Sequence, residues 1–181
     1  MQKSASKLTF KVCVIGDGGT GKTTLCIRVS TGHFKEDYKM TIGTTFFNYQ
    51  TRIQNSIITF QLWDLGGQFQ FRSILETFVR GAKAIILTFD SSNINSFMSL
   101  DADWTPFIKK ILPRIPVMLV STKHDLENAN VPKDLVKEFI ETSNLKIAGY
   151  IPTSSKTGQN IENVFYNLAE YLRKEVESNP R

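Results

Sequence analysis

The chain has 181 residues, the usual length of one globular domain. Hydrophobic residues make up 41% of it and charged residues 22%, which excludes a disordered or collagen-like chain. The net charge of +5 arises within residues 1–60 without a dense basic cluster, so nucleic acid is not an expected partner. The sequence contains no apolar run of membrane-spanning length and no secretory signal. Cys13 and Cys26 lie in apolar patterns and are expected to be reduced core residues of a cytoplasmic protein.

The first elements expected along the chain are a strand, a glycine-rich loop, a helix and a hairpin. Residues 8–15 become uniformly apolar, which predicts a strand buried on both faces. A helix is expected over residues 22–31, with Gly32 as its C-cap. Residues 50–64 predict a β-hairpin with its turn at residues 55–56.

The rest of the chain alternates predicted strands with predicted helices. Apolar runs predict strands at 83–90, 116–121 and 148–153. Apolar residues at helical spacing predict helices over 97–111, around 135–140 and over 161–172. Pro106 falls inside the first of these helices and should kink it or begin a second one.

This alternation predicts an α/β fold with a mostly parallel sheet and helices on both of its faces. We expect a single domain over residues 8–176, with flexible termini at 1–7 and 177–181. Ligands of such sheets bind at the carboxyl ends of the strands, so functional residues should follow strands.

The glycine-rich loop after the first strand, residues 16–23, has the pattern G-x-x-x-x-G-K-[ST]. Its glycines let successive backbone N–H groups point at one anion, and the following helix N-terminus adds partial positive charge. Lys22 can reach the β- and γ-phosphates of a nucleotide, and the Thr23 hydroxyl can bind Mg²⁺. The loop therefore predicts a nucleoside triphosphate site, without identifying the base. The residues expected to contact the nucleotide here are Asp17, Gly18, Gly19, Thr20, Gly21, Lys22, Thr23 and Thr24.

Two further segments carry candidate catalytic groups. Asp64 ends the third strand and can hold a metal ion through water, and Gly67 can offer its N–H to a γ-phosphate. Gln68 can orient an attacking water. Thr41, in the polar stretch 33–45, can supply a hydroxyl to Mg²⁺ and an N–H to the γ-phosphate. The catalytic candidates are Gln68, Lys22 and Thr41, and the metal candidates are Thr23, Thr41 and Asp64.

A third group of polar residues follows the last two strands and can bind a base. The Asp125 carboxylate can accept two N–H bonds from guanine, a pair that adenine cannot donate. The aliphatic stem of Lys123 can lie over the base, and the backbone N–H of Ser155 can meet the guanine O6. Each of these segments alone is also consistent with a solvated turn. The candidate residues are Thr122, Lys123, Asp125, Ser154, Ser155 and Lys156.

In this order, these segments resemble the Ras superfamily of small GTPases over residues 8–176. The resemblance implies the P-loop NTPase (small G-protein) fold, with a mostly parallel six-stranded sheet and one antiparallel edge strand. It also implies a GTP/GDP molecular switch that binds Mg²⁺ and slowly hydrolyses GTP to GDP and phosphate. Phe34 resembles the aromatic residue that packs against the guanine.

Among the branches of the superfamily, the chain is most similar to Rab. Residues 41–43, 71–72 and 80–82 are Rab-like. In this resemblance Thr41 belongs to the first switch loop, and residues 64–68 are the start of the second. The similarity implies regulation of membrane traffic, with effector proteins bound through these switch loops and an aromatic triad. The residues at the matching positions of the triad are Phe46, Trp63 and Phe78.

Several positions depart from the Rab pattern. Leu65 and Gly66 are closer to the Arf branch, and residues 18–20 resemble the loop of Ran. Thr122 stands where the base-binding Asn is usual, so guanine affinity is expected to be lower while Asp125 keeps the specificity. Ser155 replaces the usual Ala, which leaves its backbone N–H available.

The resemblance also sets expectations about partners and location. It implies an exchange factor and a GTPase-activating protein, a monomer, and a cytoplasmic location that can be peripheral to membranes. Membrane attachment is expected only if a missing tail or a partner supplies the anchor. Two other functions remain open at this point, a metabolic P-loop phosphotransferase and a non-cycling GTP-binding module.

Overall fold

The computed structural model describes residues 5–35, 40–67 and 72–178, apart from the side chains at 72 and 73. The described strands are β1 Ser6–Ile15, β2 Thr44–Ile53, β3 Ser56–Leu65, β4 Ala84–Asp90, β5 Pro116–Thr122 and β6 Lys146–Pro152. The described helices are α1 Lys22–Thr31, α2 Arg72–Val79, α3 Ile94–Ser99, α4 Thr105–Ile111, α5 Lys133–Thr142 and α6 Ile161–Ser178.

The six strands form one sheet in the order β2-β3-β1-β4-β5-β6. Neighbouring strands are parallel except for the edge strand β2, which pairs with β3 in antiparallel register. The expected mostly parallel six-stranded sheet with one antiparallel edge strand is therefore confirmed. The carboxyl ends of β1, β3, β4, β5 and β6 lie along one edge of the sheet, where a ligand site is expected.

Helices cover both faces of this sheet, as the alternating pattern predicts. Along β1, Val12 and Val14 join a core that also contains buried residues of α1 and α6. Cys13 and Ile15 join a second core, which contains buried residues of α2, α3, α4 and α5. Because successive strand residues point to opposite faces, one apolar run supplies both cores. Both cysteines are buried and free, Cys26 in the first core and Cys13 in the second, which confirms the prediction for them.

The helical stretch that contains Pro106 is interrupted where the sequence suggests. Residues Leu100–Trp104 form a π-helical turn between α3 and α4, and Pro106 lies in the first turn of α4. Proline has no N–H and clashes with the carbonyl of the fourth residue before it, so it is not tolerated inside a regular helix. The wider π turn, closed by the Thr105 N–H bonded to the Leu100 carbonyl, accommodates it. The prediction of a second helix start at this proline is confirmed.

Two elements differ from the sequence interpretation. β2 begins at Thr44, and the hairpin expected over residues 50–64 contains only the end of this strand. The earlier part of β2 was not predicted, because its residues alternate between exposed and partly buried and form no apolar run. Helix α2 was not predicted, since it spans two turns and is shorter than the window in which helical periodicity becomes visible. β1 and α6 each extend two residues into the terminal segments that were expected to be flexible. No helix of the described residues is long and apolar enough to cross a membrane.

Candidate functional site

A cavity of about 370 Å³ opens at the carboxyl edge of the sheet, within the usual size range of ligand pockets. All the residues predicted to bind the nucleotide line this cavity except Asp17, Thr20 and Ser154. Three lining residues were not predicted, although each of them adjoins a predicted residue in sequence. The lining residues are Gly18, Gly19, Gly21, Lys22, Thr23, Thr24, Phe34, Lys35, Met40, Thr41, Gly67, Thr122, Lys123, Asp125, Leu126, Ser155 and Lys156, of which Lys35, Met40 and Leu126 are the unpredicted ones.

The loop between β1 and α1 (the phosphate loop, residues 16–23) is shaped by its glycines and by bonds to β4. A Cβ on Gly16 would lie 2.3 Å from the carbonyl oxygen of Thr88, so β1 can end this close to β4 only with glycine. Gly21 caps α1 at φ 80°, a left-handed conformation that favours glycine. The hydroxyl of Thr20 lies 2.9 Å from both the Asp17 carbonyl oxygen and the Thr88 hydroxyl, which explains why Thr20 lies beneath the cavity.

Lys22 is held inside the phosphate loop. Its Nζ donates to the carbonyl oxygens of Gly16 at 2.9 Å and Asp17 at 2.6 Å, and the residue is only 5% exposed. Burial lowers the pKa of Lys22 to about 8, against the attraction of Asp64 and Asp17. The ammonium group therefore sits at the base of the cavity, where it can meet an anion that enters.

Three oxygen groups converge next to this lysine. Thr23 Oγ1 lies 2.5 Å from Asp64 Oδ2 and 2.7 Å from Thr41 Oγ1, and Thr41 Oγ1 lies 3.5 Å from Asp64 Oδ2. Burial raises the pKa of Asp64 above its ordinary value despite the hydrogen bond from Thr23 and the charge of Lys22. Asp64 Oδ1 is buried and has no hydrogen-bond partner within the part of the chain that the structure describes.

This arrangement fits a small oxygen-preferring cation. A buried carboxylate with an orphaned oxygen can bind a cation, and Mg²⁺ typically takes one or two carboxylates together with substrate phosphates and water. The described residues contain no cluster of three or more His, Cys, Asp or Glu that would suit other metals. The donor set is therefore compatible with an oxygen-preferring cation such as Mg²⁺ beside a phosphate.

The two glycines that follow β3 make close backbone contacts. A Cβ on Gly67 would lie 2.4 Å from the carbonyl oxygen of Gly16, so Gly67 packs directly on the phosphate loop. A Cβ on Gly66 would lie 2.8 Å from the carbonyl oxygen of Thr41. Gly66 and Gly67 therefore lie between the phosphate loop and the residues that precede β2, and contact both. Gln68, the predicted water-orienting residue, lies outside the described residues.

After β5 and β6, two of the predicted base-binding residues form hydrogen bonds with other residues of the protein. Thr122 is 2% exposed, and its hydroxyl donates to the carbonyl oxygens of Thr20 at 2.8 Å and Phe89 at 3.1 Å. Ser154 is fully buried and its hydroxyl donates to Asp125 Oδ1 at 2.5 Å. Thr122 thus ties β5 to the phosphate loop, and Ser154 orients the carboxylate of Asp125 towards the cavity that Asp125 lines.

The loop after β5 is held by an ion pair. Lys123 adopts a left-handed conformation at φ 60°, and its Nζ lies 2.7 Å from Asp90 Oδ2. Burial acts to raise the pKa of Asp90, but hydrogen bonds from Lys123 and Ser92 outweigh it and leave that pKa below its ordinary value. This pair joins the ends of β4 and β5 at the wall of the cavity.

A hydrogen-bonded chain lies behind the same loop. His124 Nε2 is 2.7 Å from Ser121 Oγ, which is 2.8 Å from the Tyr150 hydroxyl. Burial and the charge of Lys133 lower the pKa of His124, and Asp125 opposes them. The neutral imidazole is therefore favoured in the folded protein.

The three aromatic residues of the predicted effector surface are contiguous. Phe46 is 60% exposed and meets Trp63 edge to face, with ring centroids 4.6 Å apart. The centroids of Trp63 and Phe78 are 6.1 Å apart, and Lys11 Nζ lies 3.6 Å above the Trp63 ring. Of the three, only Phe46 is exposed, whereas Trp63 and Phe78 are partly buried and pack against the core.

Comparison with known proteins assigns this architecture to a family. The sequence model of the Ras family matches residues 11–174. The chain is 37% identical to Ras-related protein Rab-1 of Theileria parva over 173 residues, which cover 94% of this chain and 77% of that protein. It is 34% identical to Rab-5B of Plasmodium falciparum, covering 94% of this chain and 81% of that protein. It is 32% identical to Rab7 of Drosophila melanogaster, covering 91% of this chain and 80% of that protein. The chain therefore belongs to the Ras family of small GTPases, within the Rab branch.

Proposed function

We propose that this protein is a Rab-type molecular switch that binds GTP and GDP with Mg²⁺, hydrolyses GTP slowly and regulates membrane traffic. The observation that carries the proposal is one cavity lined both by a buried lysine, Lys22 after β1, and by an oriented carboxylate, Asp125 after β5, with β4 between these two strands. A nucleoside triphosphate has the matching polarity, with its phosphates at one end and its base at the other. The Rab relatives favour this function over a metabolic phosphotransferase or a non-cycling binding module.

Guanine selection depends on Asp125 in this proposal. Its carboxylate accepts two N–H bonds from guanine, and the backbone N–H of Ser155 donates to the guanine O6. Phe34 and the aliphatic stem of Lys123 flank the base, since both line the cavity. Thr122 contributes through the phosphate loop that its hydroxyl supports rather than through the base.

Mg²⁺ is held by the hydroxyls of Thr23 and Thr41 and by Asp64, the donor set whose chemistry fits this ion. When bound, Mg²⁺ supplies positive charge against the charge of the β- and γ-phosphates. Chelation with EDTA should speed GDP release from the wild-type protein and have little further effect on an Asp64→Ala variant. Equal acceleration in both proteins would remove Asp64 from the metal site.

Hydrolysis is attack of water on the γ-phosphorus, with cleavage of its bond to the oxygen that GDP retains. Lys22 and the phosphate-loop N–H groups stabilise the charge on the phosphoryl oxygens, and Gln68 orients the water. Residues 33–45 contain no arginine that could stabilise the charge on the γ-phosphate during hydrolysis. Intrinsic turnover is therefore expected to be slow, on the order of 10⁻⁴–10⁻³ per second, until a GTPase-activating protein supplies one.

The switch itself is the release of two segments from the γ-phosphate. The N–H groups of Thr41 and Gly67 bind this phosphate, and the close contact between Gly66 and Thr41 makes the two segments move together. Effectors bind the aromatic triad of Phe46, Trp63 and Phe78 when the γ-phosphate holds both segments in place. The protein acts as a monomer at the cytoplasmic side of membranes, served by an exchange factor and a GTPase-activating protein.

The first experiment identifies the nucleotide. The purified protein is denatured, the released nucleotide is separated by ion exchange, and phosphate release is followed after addition of Mg²⁺-GTP or Mg²⁺-ATP. Bound GDP together with slow hydrolysis of GTP alone is the expected result. Equal use of ATP would refute guanine selection by Asp125, and bound GTP without turnover would refute the cycling switch.

A further inference from the structure

One strong contact of the phosphate loop has no part in the nucleotide site described above. The indole Nε1–H of Trp104 donates to Asp17 Oδ1 at 2.8 Å. Trp104 is 1% exposed, whereas Asp17 is half-buried and lies in the second position of the loop. The bond therefore joins the helical layer on one face of the sheet to the loop at its edge.

The local structure of the helix explains how the indole reaches the loop. Trp104 is the last residue of the π-helical turn Leu100–Trp104, which precedes Pro106 in α4. A π turn inserts one residue relative to a regular helix, so side chains on either side of it point in directions that an uninterrupted helix would not allow. The turn accommodates Pro106, and Trp104 at its end bonds to Asp17 of the loop.

Asp17 is also the point at which the phosphate-binding groups meet. Its carbonyl oxygen accepts from Lys22 Nζ at 2.6 Å and from the Thr20 hydroxyl at 2.9 Å. A Cβ on Gly67 would lie 2.5 Å from the Asp17 carbonyl carbon. A side-chain bond that fixes Asp17 thus fixes the peptide on which Lys22 and Gly67 both depend.

We propose that Trp104 is a positioning residue for the phosphate loop, acting through Asp17. The indole bond holds the loop in the shape that receives the β- and γ-phosphates, and it couples the α3–α4 unit to nucleotide affinity. This inference rests on the proposed function, since its effect is measured on bound GDP. Because a hydrogen bond to a charged group is among the stronger kinds, its loss should speed GDP release about tenfold or more.

The test combines two variants with a matched control. Trp104→Phe removes the donor and keeps an aromatic ring, and Asp17→Ala removes the acceptor from a half-buried loop position without changing the core. Phe139→Leu is the control, because Phe139 lies in the same core and makes no bond to the loop. Release of fluorescently labelled GDP is measured for each variant and for the double variant. The indole ¹H–¹⁵N signal of Trp104, one of two tryptophans in the chain, is recorded in parallel.

We expect similar acceleration in both single variants, no further acceleration in the double variant and little change in the control. The Trp104 indole signal should shift when Asp17 becomes Ala and when GDP is exchanged for a non-hydrolysable GTP analogue. Additive effects, an equal acceleration in Phe139→Leu, or an unmoved indole signal in Asp17→Ala would each overturn the proposal. Should Trp104→Phe fail to fold, GDP release and the indole signal of Asp17→Ala, each compared with wild type, decide alone. A wild-type protein that binds no guanine nucleotide would refute the proposed function instead, while the indole shift would still test the bond.

Discussion

Replacing Gly67 with alanine should separate hydrolysis from nucleotide binding. The added Cβ would lie 2.4 Å from the Gly16 carbonyl oxygen and 2.5 Å from the nitrogen of Gly18. Both are backbone atoms, so no side-chain rotation can relieve the clash. Ordinary contact begins at 3.4 Å, so the two backbones must separate by about 1 Å. Overpacking of this kind costs about 1–3 kcal/mol. The population with Gly67 against the loop should therefore fall by roughly 5–150-fold.

A displacement of 1 Å from the reacting geometry can reduce a rate by about 100-fold. We therefore expect single-turnover GTP hydrolysis by Gly67→Ala to fall by roughly 10–100-fold. GDP release should change far less, because the contacts of Asp125 lie at the opposite end of the cavity.

The matched control for this variant is Gly149→Ala in β6. There the added Cβ would lie 3.2 Å from the sulfur of Met118, a flexible side chain in the core, so hydrolysis should be unchanged. The assay is phosphate release from preloaded GTP, with labelled GDP release measured on the same proteins. Hydrolysis by Gly67→Ala within twofold of wild type would refute the argument that this close approach is needed for catalysis.

Three further outcomes are expected. Gln68→Leu should slow single-turnover GTP hydrolysis by about tenfold or more while GTP affinity stays nearly constant, and unchanged turnover would remove Gln68 from the mechanism. Thr122→Val removes the donor that serves the Thr20 and Phe89 carbonyls, and should speed labelled GDP release by roughly 2–10-fold; an unaltered rate would contradict the role given to this hydroxyl. Folding lowers the pKa of His124 from its ordinary value of 6.5. As the pH falls through that ordinary value, the unfolded chain therefore binds more protons than the folded protein, which favours unfolding. Thermal stability should therefore decrease on acidification from about pH 7 to about pH 5.5, and the decrease should be smaller in His124→Gln; identical pH profiles would contradict this.

The sequence predicts the sheet well because each buried strand carries its own apolar run. β4 and β5 are buried along their whole lengths, and their predicted bounds agree with the structure within a residue. Half of the residues of the edge strand β2 are exposed, so its first residues carry no such apolar run. Helix α2 is two turns long, and its buried residues Leu75 and Val79 give a single helical repeat, which is too short to identify a helix from the sequence.

For the site, the sequence predicts which residues come together but not what each side chain contacts. The motif around Gly16 and Lys22 requires a strand, a loop and a helix in succession, and that requirement places it at the sheet edge. Thr122 was expected to contact the base weakly, whereas its hydroxyl is bonded to the phosphate loop. Ser154 was expected beside the base, whereas it is buried and orients Asp125. Such contacts join residues distant in sequence, and each hydroxyl has several possible partners, so spacing cannot select among them.

Asp17 illustrates the same limit and has a mechanistic consequence. The motif allows any residue at this position, yet two distant parts of the chain and one residue of the same loop meet there. Trp104 bonds its side chain, Lys22 bonds its carbonyl oxygen, and Gly67 packs on its carbonyl carbon. Lys22 and Gly67 are both assigned to the γ-phosphate, so a movement of Asp17 alters two phosphate contacts at once. The α3–α4 unit is therefore connected to the phosphate end of the cavity through Trp104. It is also connected to the base end, because the Ser96 hydroxyl in α3 is hydrogen-bonded to the backbone of Asp90, which pairs with Lys123. A displacement of α3–α4 should accordingly affect the binding of the phosphates and the recognition of guanine together.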